Sequence, residues 1–148
     1  MRGVTARDIV CAVETTLADH PVCSMSVALV RDPAMAELHD RFMGPSGPTE
    51  VLAFALRDDL SVEAIDGEVV VSVDTARRQA AERSVAASDE LLRYVIHGTL
   101  HLMGYDDQDA AGRAAMRRAE NAALSRLRRH RQRGGRPVMS KRRSRQRA

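Results

Sequence analysis

The sequence predicts an α+β fold: a small mixed sheet of three or four strands packed with helices, one of them central and carrying two histidines. Three observations lead there. Segments with apolar residues at helical spacing and segments that alternate or run apolar follow one another in the order α, β, α, β, β, α, α, α. The 148 residues, 44% of them hydrophobic, suffice for one domain with a real core. That core must be built from Val, Leu, Ile, Ala and Met, because aromatic residues make up only 3% and Trp is absent. Residues 91–103 are apolar on nearly every side, as a helix must be when it is buried in the middle of a domain.

Thr5 is placed to cap a first helix over 5–19, with Ile9, Val10, Val13 and Leu17 on one face and Pro21 beyond its end. Residues 24–31 alternate Met25, Val27 and Leu29 against Ser24, Ser26 and Ala28, a strand with one buried face. Asp32 and Pro33 open a second helix with Met35, Leu38 and Phe42 inward, and the glycines and prolines of 44–50 form a loop of defined direction. Residues 51–56, VLAFAL, read as a central strand. Acidic, irregular 57–66 is followed by an interior strand over 67–74. A third helix starts at 74, Ser88 and Asp89 cap the histidine helix, and a last helix spans 109–129 with Met116, Ala119, Ala123, Leu124 and Leu127 at near-helical steps.

The chemistry concentrates in 91–107, LLRYVIHGTLHLMGYDD. His97 and His101 are four apart and project from one helix face, so both rings can reach one point. Gly104 is placed to end the helix in a left-handed turn that carries Tyr105, Asp106 and Asp107 back toward that face. The spacing H-x3-H-x2-G-x2-D is similar to the metzincin motif H-E-x-x-H-x-x-G-x-x-H, with Gly98 for its glutamate and Asp107 for its third histidine. Two imidazoles and a carboxylate are ordinary zinc ligands, and three protein ligands leave a position open, the catalytic pattern. Nickel and other ions accept the same set, with geometry and supply deciding between them. Gly98 offers no general base, which disfavours peptidase chemistry. Tyr105 and Asp106 either orient these ligands or serve only the turn, and Thr49 and Glu50 either line the cleft or brace their loop. His20, His39 and His130 lack ligand spacing and are expected at the surface.

The net charge of +3 hides an asymmetry: eleven of the 23 basic residues and no carboxylate follow residue 125. The first 125 residues carry a net of −8, 12 basic against 20 acidic side chains. The chain therefore divides into a metal-dependent unit over 1–129 and a basic tail over 130–148, expected to be disordered. Cys11 and Cys23 are too isolated for a disulfide framework or a cysteine metal site, and are expected as idle thiols. With neither a signal peptide nor an apolar run near the ~20 residues of a membrane span, a cytoplasmic protein is expected.

At HGTLHLMGYDD the sequence resembles the YbeY family of bacterial rRNA maturation factors, whose signature is H-G-x-L-H-L-x-G-Y-D-H; only Asp107 departs. PTEVLAFA at 48–55 is similar to that family's P-T-D-V-L-S-F-P block, and Gly67, Glu68 and Val69 to its G-D-I strand start. The resemblance covers roughly residues 20–125. It implies a small α+β protein holding one zinc ion through His97 and His101, with Asp107 at the third ligand's position. It further implies a single-strand endoribonuclease acting on the 3′ end of small-subunit ribosomal RNA and in ribosome quality control, with the small subunit as partner. Phe42 and Met43 stand where the family has a tyrosine and a phosphate-contacting arginine; Arg41 lies two places earlier. A metal- and RNA-binding assembly factor that cuts poorly is the competing reading, and a metal-dependent hydrolase of another substrate the third. The arginine-rich tail is either an RNA contact or a solvated extension.

Overall fold

The computed structural model describes residues 3–43, 50–56 and 64–134. Its elements are α1 (Ala6–Leu17), β1 (Val22–Val30), α2 (Asp32–Met43), β2 (Val51–Ala55), β3 (Ile65–Ser72), α3 (Val73–Arg83), α4 (Ala87–Leu102) and α5 (Ala110–Gln132). The order is the expected one. The sheet is mixed and three-stranded, β1-β3-β2, with β1 parallel and β2 antiparallel to β3.

β3 is central because it is apolar on both faces. Val69 and Val71 pack into the main core with α4, and Val70 turns the other way to meet Met35 of α2 and Leu52 of β2. α4 lies across the sheet with Leu91, Leu92, Tyr94, Val95, Ile96, Thr99 and Leu100 buried, and α1, α3 and α5 pack around it. Each of its fully buried leucines and isoleucines is worth about 1.5–3 kcal/mol of transfer free energy. The main core therefore holds α4 rigidly, and with it the two histidines.

α1 begins as expected: Thr5 Oγ1 accepts from the Asp8 N–H at 3.2 Å, and the Asp8 carboxylate accepts from the Thr5 N–H at 2.8 Å. α2 is tied to the end of the sheet by Asp32, whose carboxylate accepts from Ser72 Oγ at 2.7 Å, Thr75 Oγ1 at 3.0 Å and the Arg78 guanidinium. Those partners, Arg78 foremost, hold the Asp32 pKa down to about 2.

Several expectations are corrected. Among the described residues β2 is an edge strand, not a central one; Leu52 and Phe54 meet Met35, Leu38 and Phe42 of α2 on one face and α4 packs on the strand as well, and an apolar run reports covered faces rather than paired edges. Ser88 and Asp89 do not cap α4; Ala86 occupies the cap position without a side-chain bond, and both residues sit in the first turn. Leu29 is exposed, and Phe42 is 58% exposed, resting edge-on against Phe54 with ring centroids 5.2 Å apart. His39 is buried on the inner face of α2, one turn from Met35. α5 runs to Gln132, three residues past the expected end of the last helix. Of the loop at 44–50, the irregular stretch at 57–66 and the tail, residues 44–49, 57–63 and 135–148 lie outside the described residues. Cys11 is buried and Cys23 exposed, and among the described residues neither forms a disulfide. No described helix is long and apolar enough to cross a membrane.

Candidate metal centre

Position 104 decides whether the chain can return to the histidines. Gly104 has φ +102, its N–H bonds the His101 carbonyl at 3.0 Å, and the Tyr105 N–H bonds the Leu100 carbonyl at 3.1 Å. This is the two-bond helix stop that a left-handed glycine permits. The Asp109 carboxylate caps α5 through the Gly112 N–H at 2.6 Å, so the turn between the helices is pinned at both ends.

The consequence is convergence. His101 Nε2 lies 3.0 Å from His97 Nε2, and Asp107 Oδ2 lies 3.5 Å from His97 Nε2 and 3.7 Å from His101 Nε2. Donors bound at 2.0–2.2 Å along tetrahedral directions sit about 3.4 Å apart, so the observed triangle brackets the spacing that a zinc-sized ion needs. The three residues form a group able to hold a metal ion, and all three are partly exposed, leaving one side accessible.

His97 is oriented from behind. Its Nδ1 and the Oε1 of Glu120 share a short hydrogen bond, and Glu120 is buried at 8% exposure on the inner face of α5. With Nδ1–H donating to this carboxylate, Nε2 keeps its lone pair and is aimed at the shared point, the carboxylate–histidine arrangement common behind metal ligands. Burial of the ring disfavours its charged form, but the hydrogen bond and charge of Glu120, with Asp107 behind them, outweigh this and raise the His97 pKa.

Gly98 has a packing reason. A Cβ there would fall 2.5 Å from Val69 Cγ1 and 2.9 Å from Val51 Cγ1, so α4 lies on the sheet too closely for any side chain. The position at which an H-E-x-x-H enzyme carries its base faces the sheet here.

Next to His97 and Glu120 is a pocket of about 170 Å³ lined also by Glu50, Arg83, Arg93 and Tyr94. Arg83 is engaged by the buried Glu90 at 3.1 Å. The Tyr94 hydroxyl is buried and, among the described residues, has no hydrogen bond of ordinary length; burial, with the charges of Glu50 and Glu90, pushes its pKa up.

Of the residues singled out in the sequence, His97, His101 and Asp107 are brought together and Glu50 lines the adjoining pocket. Tyr105 is exposed, and Asp106 braces the turn by accepting from the Gln108 N–H at 3.1 Å. Arg41 is exposed and paired with Glu37 at 3.4 Å. Thr49 lies outside the described residues. Glu120 was missed, although a signal existed. It is the one carboxylate among Met116, Ala123 and Leu127 on an otherwise apolar stripe, where a charge needs a partner.

A family model described as Endoribonuclease YbeY matches residues 4–128. The Endoribonuclease YbeY of Desulfitobacterium hafniense is 34% identical over 135 residues, 86% of this chain and 85% of its own. That of Frankia alni is 39% identical over 116 residues, 72% and 64% of the two chains, and that of Moorella thermoacetica 38% over 110 residues, 68% and 70%. A solution structure from Thermotoga maritima is similar with a TM-score of 0.57 at 28% identity, over 86% of this chain and 82% of its own. Since the match runs from before α1 to the last turns of α5 and takes in every residue of the donor triangle, the chain belongs to the endoribonuclease YbeY family, RNA hydrolases of rRNA processing.

Proposed function

We propose that this chain is a zinc-dependent, single-strand-specific endoribonuclease of the cytoplasm. It matures the 3′ end of small-subunit (16S) ribosomal RNA and takes part in ribosome quality control, with one ion on His97, His101 and Asp107. The observation that carries the reading is the donor triangle, with 3.0–3.7 Å sides and an accessible flank. When bound, the ion supplies Lewis acidity toward a phosphoryl oxygen and lowers the pKa of a coordinated water, to about 7 in favourable zinc sites.

The chain's own groups divide the remaining work. Glu120 holds the His97 ring and its proton on Nδ1. Asp107 brings a negative charge where an imidazole would bring none, which tempers the acidity of the coordinated water and the attraction for phosphate. No side chain is assigned as the catalytic base. The small ribosomal subunit is the partner, the unit over 1–129 carries the chemistry, and the basic extension over 130–148 adds phosphate contacts.

The test is cleavage of single-stranded RNA by purified, metal-replete protein. Activity lost in His97→Ala and kept in the exposed control Glu82→Ala supports the enzyme. A wild-type chain that binds one ion per molecule and RNA but leaves the RNA intact supports the second reading, an assembly factor. That reading is favoured by Met43 and Asp107, which stand where the resemblance calls for an arginine and a histidine.

A further inference from the structure

We propose that an exposed flank of α5 is the surface along which single-stranded RNA lies as it enters the metal cleft, its phosphates held by Arg113, Arg117 and Arg128. This rests on the RNA-cleaving reading above. Residues 1–109 contain nine arginines against nineteen carboxylates, a net of −10 on the part that holds all three metal donors. A polyanionic substrate is repelled by such a body unless some element supplies the opposite sign.

α5 is that element. Between Ala110 and Gln132 it carries seven arginines and a single carboxylate, the buried Glu120. Its placement links the charge to the cleft. The helix starts three residues after Asp107, and Glu120 reaches His97 from its inner face. At about 100° per residue, Arg113, Arg117 and Arg128 point within roughly 60° of one another, on one flank of the direction taken by Glu120. The fifteen residues from Arg113 to Arg128 span about 22 Å, the reach of several nucleotides of extended strand. Arg117 is within one turn of Glu120, so the row passes beside the carboxylate that reaches His97.

These guanidiniums are also unspent. Arg117, Arg118, Arg128 and Arg129 are exposed and make no ion pair or side-chain hydrogen bond among the described residues. Arg113 uses one donor on the Gln108 carbonyl, while Arg131 is already paired with Asp8. Arg113 and Arg117 are like charges at i, i+4, an arrangement that costs helix stability, and neither is near enough to the helix C-terminus to be compensated by its dipole. A bound phosphate backbone removes that repulsion.

The experiment measures equilibrium binding of a labelled single-stranded RNA to the full chain across a salt series. It uses a His97→Ala background, so that the RNA stays intact and binding is read separately from cleavage. The double variant Arg117→Gln/Arg128→Gln removes two contacts at exposed positions where glutamine is as good a helix former as arginine. The slope of log affinity against log salt is expected to become shallower by about 1.4, with roughly 25-fold weaker binding at 0.1 M salt. The control Arg31→Gln/Arg77→Gln changes net charge equally from exposed positions outside α5. An unchanged slope in the α5 variant, or an equal change in the control, overturns the proposal. Cleavage by the otherwise wild-type chain is assayed alongside. Cleavage without the slope change removes the α5 track alone, and the slope change without cleavage removes the nuclease reading alone.

Discussion

A carboxylate behind a histidine does its work through geometry, and Glu120 is placed to do so. Removing its charge while keeping its shape leaves the His97 ring free to rotate and to hold its proton on either nitrogen. Glu120→Gln is therefore expected to weaken metal binding about 10–100-fold, read by competition with a chromophoric chelator. Equal affinity in the two proteins would make the contact incidental. Asp107 makes the complementary case. Asp107→His removes a negative charge from the donor set, so the coordinated water becomes more acidic and the pH optimum for RNA cleavage is expected to move down with metal content unchanged. An optimum that stays or rises at equal metal content counts against Asp107 as a ligand. His97, His101 and Asp107 were legible because they lie within eleven residues of one another around a glycine stop. Glu120 was not, because it is 23 residues from His97 and meets it only once α5 has folded back on α4.

Among the elements, legibility followed the strength of local pattern. α4 was readable because its apolar run admits one solution, burial on all sides, and α1 because Thr5 and Asp8 form a reciprocal cap. β2 was misplaced for the opposite reason: VLAFA is apolar through coverage by helices, and pairing on only one edge leaves no trace in its composition. His39 and Phe42 exchanged their expected environments because α2 turns Met35 and His39 inward and lets Phe42 lean on Phe54 at the rim. The Asp32 junction between α2, β3 and α3 gives a prediction at this scale. Its carboxyl is held down to about 2, below its ordinary 3.8, so it contributes stability above the unfolded value and loses that contribution as pH falls from about 3.8 toward 2. The side chain is 39% exposed, so the effect is screened and modest. Asp32→Asn is expected to lower the urea midpoint at pH 7, with the gap from wild type narrowing as pH falls from about 4 to 2. A gap independent of pH in that range would show that packing, not charge, holds the junction.

At the scale of the whole molecule, the metal group draws on α4, the turn after it and α5 together: His97 and His101 from the first, Asp107 from the second, Glu120 from the third. An ion that binds the native chain alone stabilises it by about 2.7 kcal/mol at a free concentration 100 times its dissociation constant. For a chain of this size that is roughly 10 °C in Tm. Stripping the ion with a chelator is therefore expected to lower Tm by that order in the wild type and to leave His97→Ala/His101→Ala unmoved. The loss has a location. Without the ion, Asp107 keeps only its 3.5 and 3.7 Å approaches to two rings, so amide hydrogen exchange is expected to speed up across 104–109 and the first turns of α5. α1 and β1, which share no donor with the site, are expected to keep their exchange rates. Faster exchange spread evenly over all the elements, or an equal Tm drop in the double histidine variant, would mean that the chelator acts elsewhere and that the triangle of donors is not what holds the ion.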